Sequence, residues 1–413
     1  MIDKIFNFPN KYSFLDDILA GITVGVVTIP QAMAFAILAG IPPIYGLYGS
    51  FIPLLIYGLL SSSNYLNVGP VAIVSIFIFD ILSKNVQPFT PEYINELIIL
   101  GIMVGVFQII FGVFRLGKFL RYIPTSIISG FIQAAAVVII SSQLTTAFGI
   151  DFPVQGLKKI PYLFAHLEEL KPNTTLLFLM SLITLFLFAK FFPRFPTSIS
   201  LVLVTGILSY LLDFEKYGLL LIGEVPRGLP EFIFPTVNIN AINYLPGAFA
   251  IAIIASIGSS IMSLKLEPNQ SKKINLNREY ISLGIAKFLS AFFGSMVSAG
   301  SFNRTILAYK IGGKTQITSI VSSIIILFTI LFLTHVVYYF PQSVIAALII
   351  YSVYFLFDFS LMFKLWRKDK IELSYVLITM SATLFIGFVE GILIGIFIKF
   401  FGDYIFKKKI NLS

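Results

Sequence analysis

Cysteine is absent from the 413 residues, and histidine occurs only as His166 and His335. The first absence excludes disulfides and thiolate metal sites, and the second leaves no zinc-like cluster, so neither a metal nor a cofactor is expected. Charge is also scarce, at 12% of residues, against roughly a quarter in a soluble chain. No GxxxxGK[ST] loop is present to cradle nucleotide phosphates, and no serine has a histidine base at plausible depth, so the chain does not read as an enzyme. What is abundant is apolar: 57% of residues are hydrophobic and the mean hydropathy is +0.92. A folded core at this length cannot hide that much apolar surface, so lipid must be the solvent for much of it. Twenty prolines and 29 glycines are too many for simple straight spans and fit a membrane protein with several interrupted helices.

Fourteen apolar segments run near 18–38, 44–60, 68–83, 96–114, 123–147, 174–189, 197–212, 247–264, 279–293, 301–309, 317–335, 342–357, 372–388 and 390–406. The opening stretch to Phe14 is polar and leads into the first segment with no small-residue cleavage site, so no cleavable leader is expected. With the N-terminus placed in the cytoplasm, Lys84, Lys158, Lys159, Lys171, Lys216 and Arg227 fall outside. Lys287 and Arg304 lie within apolar segments, and the remaining 21 of the 29 basic residues gather on the cytoplasmic side. The net charge of +9 is therefore a record of membrane orientation, with both termini cytoplasmic, and not a nucleic-acid footprint. The membrane expected is an inner or plasma membrane.

The two halves correspond. Segment three follows Asn67-Val68-Gly69-Pro70 and segment ten follows Ser298-Ala299-Gly300; each is third in its set of seven, and each begins with small or helix-breaking residues. Segment ten, at about nine residues, spans roughly 14 Å and cannot cross a bilayer alone. Seven segments followed by seven more enter from opposite sides, and inverted repeats with paired short segments point to a transport site at the midplane. Two facing half-helix N-termini offer unpaired N–H groups and partial positive charge, an anion site that needs no metal. The donors expected are around Val71 and Ala72 in one half and Ser301, Phe302 and Asn303 in the other, with Gly69 and Gly300 allowing close approach of backbone to a ligand. Arg304, one turn into segment ten, adds an intramembrane charge. In the first segment Pro30 is expected to kink or interrupt the helix. Gln31 then offers an amide to an anion, with Phe35 one turn away on the same face. Lys287 reads equally as a site residue or a structural partner.

Several of these stretches resemble the SulP family of anion transporters, the sulfate permeases. Asp17 to Val27 leads into Pro30-Gln31-Ala32-Met33-Ala34, then Leu38-Ala39-Gly40-Ile41-Pro42-Pro43 and Gly46-Leu47-Tyr48. Further matches are Val68-Gly69-Pro70-Val71-Ala72, Ile222-Gly223-Glu224-Val225-Pro226, Gly228-Leu229-Pro230, Asn277-Arg278-Glu279, Arg304-Thr305 and Gly391-Ile392-Leu393-Ile394-Gly395. The resemblance implies an all-α polytopic membrane fold of 14 segments in two inverted repeats. A core domain is expected over about 1–120 and 245–340, and a gate domain over about 121–244 and 341–413. It puts the anion site at Gln31, Phe35, Val71, Ala72, Gly300, Ser301, Phe302, Asn303 and Arg304, and it allows a homodimer.

Two departures from the family pattern stand out. Members usually continue into a cytoplasmic STAS domain, and none is expected within these 413 residues. Many cation-coupled members carry a carboxylate in segment eight, where this sequence has Gly258, and Lys287 stands where an asparagine is common. The expectation is secondary transport of a small inorganic anion, sulfate first, by exchange or uncoupled movement unless Asp80 or Glu390 substitutes for the missing carboxylate. Bicarbonate, chloride or a dicarboxylate are alternative substrates; an anion channel, a non-transporting anion-binding scaffold and a nucleobase transporter are alternative functions.

Overall fold

The computed structural model describes residues 14–117, 124–150, 156–192, 197–223, 225–237, 239–266, 274–354 and 357–410. Fourteen helical segments follow the apolar runs: α1 Phe14–Leu38, α2 Pro43–Leu60, α3 Ala72–Leu82, α4 Pro91–Val113, α5 Thr125–Phe148, α6 Pro172–Phe191 and α7 Thr197–Leu212 in the first half. The second half holds α8 Leu245–Leu266, α9 Leu276–Ala291, α10 Phe302–Ile311, α11 Ile317–Val337, α12 Gln342–Tyr354, α13 Lys370–Phe385 and α14 Phe388–Ile410. Local chemistry sets their ends. Thr90 caps α4 by accepting from the Tyr93 N–H at 3.2 Å, ahead of Pro91 in the first turn. Asn275 caps α9 through the N–H groups of Asn277 and Arg278, and Gly149 closes α5 in the left-handed conformation. Pro30 does not interrupt α1, which runs as one helix through it; a proline is tolerated within a membrane helix where neighbouring groups answer the freed backbone carbonyl.

The helix contacts repeat with a two-fold pattern. α4 packs on α9 and α8, while its counterpart α11 packs on α2 and α1; α5 packs on α13, while its counterpart α12 packs on α6. Most contacts fall within two groups, α1–α4 with α8–α11 and α5–α7 with α12–α14. Contacts of α1 with α7 and α12, of α3 with α5 and of α8 with α14 join the groups.

One element falls outside the all-helical expectation. Before each short helix the chain is extended: β1, Val68–Gly69, pairs antiparallel with β2, Ala299–Gly300, with Val68 opposite Gly300 and Gly69 opposite Ala299. α3 therefore starts at Ala72, four residues later than the apolar run begins. At 11 and 10 residues, α3 and α10 each reach only about 15 Å, half the hydrocarbon thickness.

Two buried carboxylates brace this frame. Asp17 on α1 accepts from the Lys314 N–H at 2.7 Å, the Thr315 N–H at 3.1 Å and the hydroxyls of Thr315 and Thr318, which ties α1 to the start of α11. Glu279 on α9 accepts from the N–H groups of Ser62 and Ser63, the Ser62 hydroxyl and the Tyr57 hydroxyl, which fixes the turn after α2. Both carboxylates are fully desolvated and answered by several donors, the arrangement a buried charge requires.

Candidate functional site

A cavity of about 320 Å³ lies where the starts of α3 and α10 come together, between the two helix groups. Val71 precedes α3 and Ser301 precedes α10, both extended, and neither helix has a side-chain cap. The first-turn N–H groups of both helices therefore lack intrahelical partners, and the partial positive ends of two dipoles border one space. The Ser301 N–H itself is taken by the Asn67 carbonyl at 2.8 Å, leaving the following N–H groups of α10 to the cavity. Gln31, Phe35, Val71, Ala72, Gly258, Gly300, Ser301, Phe302 and Asn303 all line it. Among the described residues the side chains of Gln31 and Asn303 have no hydrogen-bond partner in the protein. The opposite wall is apolar and comes from the other helix group: Ile127, Ile128, Phe131 and Ile132 of α5, Val353 of α12 and Ile392 of α14, with Ser352 as its polar exception.

Arg304 is placed differently from its neighbours. Its side chain is buried and does not line the cavity. Nε donates to Asn67 Oδ1 at 3.1 Å and Nη2 to the Pro70 carbonyl at 3.0 Å, so the guanidinium bridges the start of α10 to the strand-turn before α3. The reason lies in β1: a Cβ on Gly69 would come within 2.8 Å of Nη2, and the glycine leaves that volume to the guanidinium. Gly69 thus makes room for Arg304 and does not line the cavity, while Gly300 packs against Leu66 and Ser259 and also lines it. Lys287 is also buried away from the cavity; Nζ donates to Gln108 Oε1 at 2.6 Å, and Gln108 passes a bond of 2.9 Å to Ser256 on the cavity-lining helix α8. No carboxylate within ion-pair distance of Arg304 or Lys287 occurs among the described residues.

Among the described residues no acidic side chain lines the cavity. Asp80 is paired with Lys84 at 3.2 Å and Glu390 is exposed, and neither lines the cavity. A Cβ built on Gly258 would meet nothing within 4 Å; the space for a larger side chain exists, and it is open.

The family model described as the sulfate permease family matches residues 14–379. The chain belongs to the sulfate permease family. Its curated relatives include a probable sulfate transporter 4.2 of Arabidopsis thaliana, 36% identical over 92% of this chain. Another is a probable sulfate transporter of Mycobacterium tuberculosis, 29% identical over 92% of this chain and 68% of its own length. This permease-family chain spans 57% of the length of the Arabidopsis protein. Among solved structures, the murine solute carrier 26 member A9 anion transporter in its inward-facing state is similar with a TM-score of 0.89 and 26% identity. That match covers 97% of this chain and 70% of the other. The transmembrane domain of a cyanobacterial bicarbonate transporter, BicA, shares the fold with a TM-score of 0.79 at 22% identity, over 95% and 99% of the two chains.

Proposed function

We propose that this multi-pass membrane protein is a secondary transporter of small inorganic anions, sulfate first among them, working by alternating access. The observation that carries the reading is the cavity bordered by two uncapped half-helix N-termini and, among the described residues, by no carboxylate. Backbone donors and dipole ends favour an anion. The named function of the plant and mycobacterial relatives makes sulfate the leading choice. Gln31, Phe35, Val71, Ala72, Gly300, Ser301, Phe302 and Asn303 are proposed to contact the anion. Arg304 is proposed to hold the two half-helices in register and to contribute positive potential from behind. The helix group α1–α4 with α8–α11 is the proposed core and the other group the gate, with both termini in the cytoplasm. Gly258 in place of a carboxylate removes the group that would titrate or bind a cation beside the anion, which favours exchange or uncoupled movement over cation symport.

Radiolabelled sulfate uptake into proteoliposomes tests this. Vesicles preloaded with chloride, bicarbonate or sulfate should show saturable uptake that rises with one internal anion and does not respond to an imposed proton gradient. No uptake under any gradient removes sulfate transport, and strong saturable acceleration by inward protons removes the uncoupled or exchange mode.

A further inference from the structure

Between α12 and α13 the chain forms a ten-residue helix, Phe359–Lys368, preceded by the non-helical Phe357 and Asp358. Its sequence, FSLMFKLWRK, divides the surface into three arcs at 3.6 residues per turn. Leu361, Met362 and Leu365 are partly covered, and the helix packs on α13. Next around the helix come Phe359, Phe363 and Trp366, exposed at 61%, 58% and 63%. The third arc carries Lys364, Arg367 and Lys368, all exposed. Arg367 lies over the Phe363 ring, 4.4 Å from its centroid, which binds the basic arc to the aromatic one.

The nearby acids do not neutralise this arc. Asp358 caps the helix by accepting from the Leu361 N–H at 2.8 Å, and Asp369 caps α13 through the N–H groups of Ile371 and Glu372 at 3.1 and 3.0 Å. Glu372 is paired with Lys399. Three aromatic rings face outward beside three cations with no ion-pair partner among the described residues, at the end of a membrane span. Water is a poor solvent for the first set and hydrocarbon for the second; the headgroup zone of a bilayer suits both.

The geometry points to a membrane-surface anchor: the helix Phe359–Lys368 lies in the bilayer interface, its aromatic arc in the acyl boundary and its basic arc bound to the headgroups of acidic phospholipids. Each basic side chain near an anionic surface favours it by about fivefold, and the effect is screened by salt. The consequence is a gate-side connection held at the level of the headgroups, with a local enrichment of acidic lipid beside α12 and α13.

Trp366 is the single tryptophan of the chain, so its fluorescence reports on this helix alone. The full chain is reconstituted in neutral phosphatidylcholine vesicles with equal mole fractions of either brominated phosphatidylglycerol or brominated phosphatidylcholine. Trp366 should be quenched several-fold more strongly by the brominated acidic lipid. The difference should shrink as salt is raised and vanish in the triple variant Lys364→Gln, Arg367→Gln, Lys368→Gln. Equal quenching by the two lipids in the unmutated protein overturns the headgroup preference, and no quenching by either places the helix in water and overturns the anchor. The salt titration needs no variant, so a triple variant that fails to fold leaves the test intact. The readout needs no transport, so its failure and a failure of sulfate uptake are separate results.

Discussion

Replacing Arg304 by alanine should loosen the two half-helices from one another. The guanidinium supplies two bonds across the repeat boundary, to Asn67 Oδ1 and to the Pro70 carbonyl. Charge-assisted bonds contribute about 1.5–3 kcal/mol each, so truncation removes roughly 3–6 kcal/mol and leaves two buried acceptors unanswered. Gly69→Ala reaches the same contact from the opposite strand, because its Cβ would stand 2.8 Å from Nη2. Gly69 is not in a left-handed conformation, so the alanine perturbs through that contact and not through its own backbone. Two changes acting on one contact should be non-additive by about 1 kcal/mol or more.

The assay is a double-mutant cycle over wild type, Arg304→Ala, Gly69→Ala and the pair. Thermal unfolding in detergent and sulfate KM and turnover in proteoliposomes are both read. Arg304→Lys separates geometry from charge, since lysine keeps the charge and lacks the planar fork that serves two acceptors at once. Its stability should stay close to that of Arg304→Ala. Additive effects within about 0.5 kcal/mol, together with wild-type stability in Arg304→Lys, would refute the bridging role and leave only charge.

Gly258→Asp adds a carboxylate to open space in the cavity. A negative charge beside the bound anion repels it, so the KM for sulfate should rise well above that of Gly258→Asn; equal KM values in the two variants speak against Gly258 facing the anion. Asp17→Asn weakens a carboxylate that accepts from four donors and should lower stability by roughly 2–4 kcal/mol, read as an earlier thermal transition. Gln31→Ala removes an amide with no partner among the described residues, so unfolding should shift by less than about 0.5 kcal/mol while the KM for sulfate rises.

The fourteen apolar segments were legible because lipid demands long apolar runs, and the broken pair because segment ten is too short to span; the helices Lys159–Ala165 and Phe359–Lys368 were not among them. The β1–β2 ladder was not, since two residues per strand carry no alternation to read. The direction of Arg304 was equally hidden. Its place one turn into α10 follows from sequence, but its partners lie 237 and 234 positions away, and only the fold brings them near. The apolar wall from α5, α12 and α14 was invisible for another reason: in a membrane helix an isoleucine facing a cavity is written like one facing lipid. The roles of Asp17 and Glu279 do carry a signal in the sequence. An ionised carboxylate at the end of a membrane helix needs several donors, and the Ser62-Ser63 and Thr315 to Thr318 hydroxyls are close to segment ends. The surface helix 359–368 had one too, in the aromatic spacing of Phe359, Phe363 and Trp366 beside three basic residues.

The magnitudes at the cavity bear on what kind of protein this is. A helix N-terminus contributes at most about 2 kcal/mol toward an anion in a partly buried geometry. Two of them supply around 4 kcal/mol, which corresponds to binding near the millimolar range. Lys287 and Arg304 add potential from outside the lining, and both are already hydrogen-bonded to protein groups. A scaffold or sensor built to retain an anion would aim such a cation into the cavity and gain affinity. Here the charges are set back, one donating to an amide behind α8 and the other clasping the two repeats. Weak binding by fixed backbone donors permits rapid release, and both donor ends belong to the same helix group, tied together by β1–β2, Arg304 and the Asn67–Thr305 bond of 3.0 Å. The facing wall belongs to the other group and offers the anion almost no polar contact. Under the proposed division, the binding elements travel as one unit past an apolar surface, and the bound anion has few bonds to break as it moves.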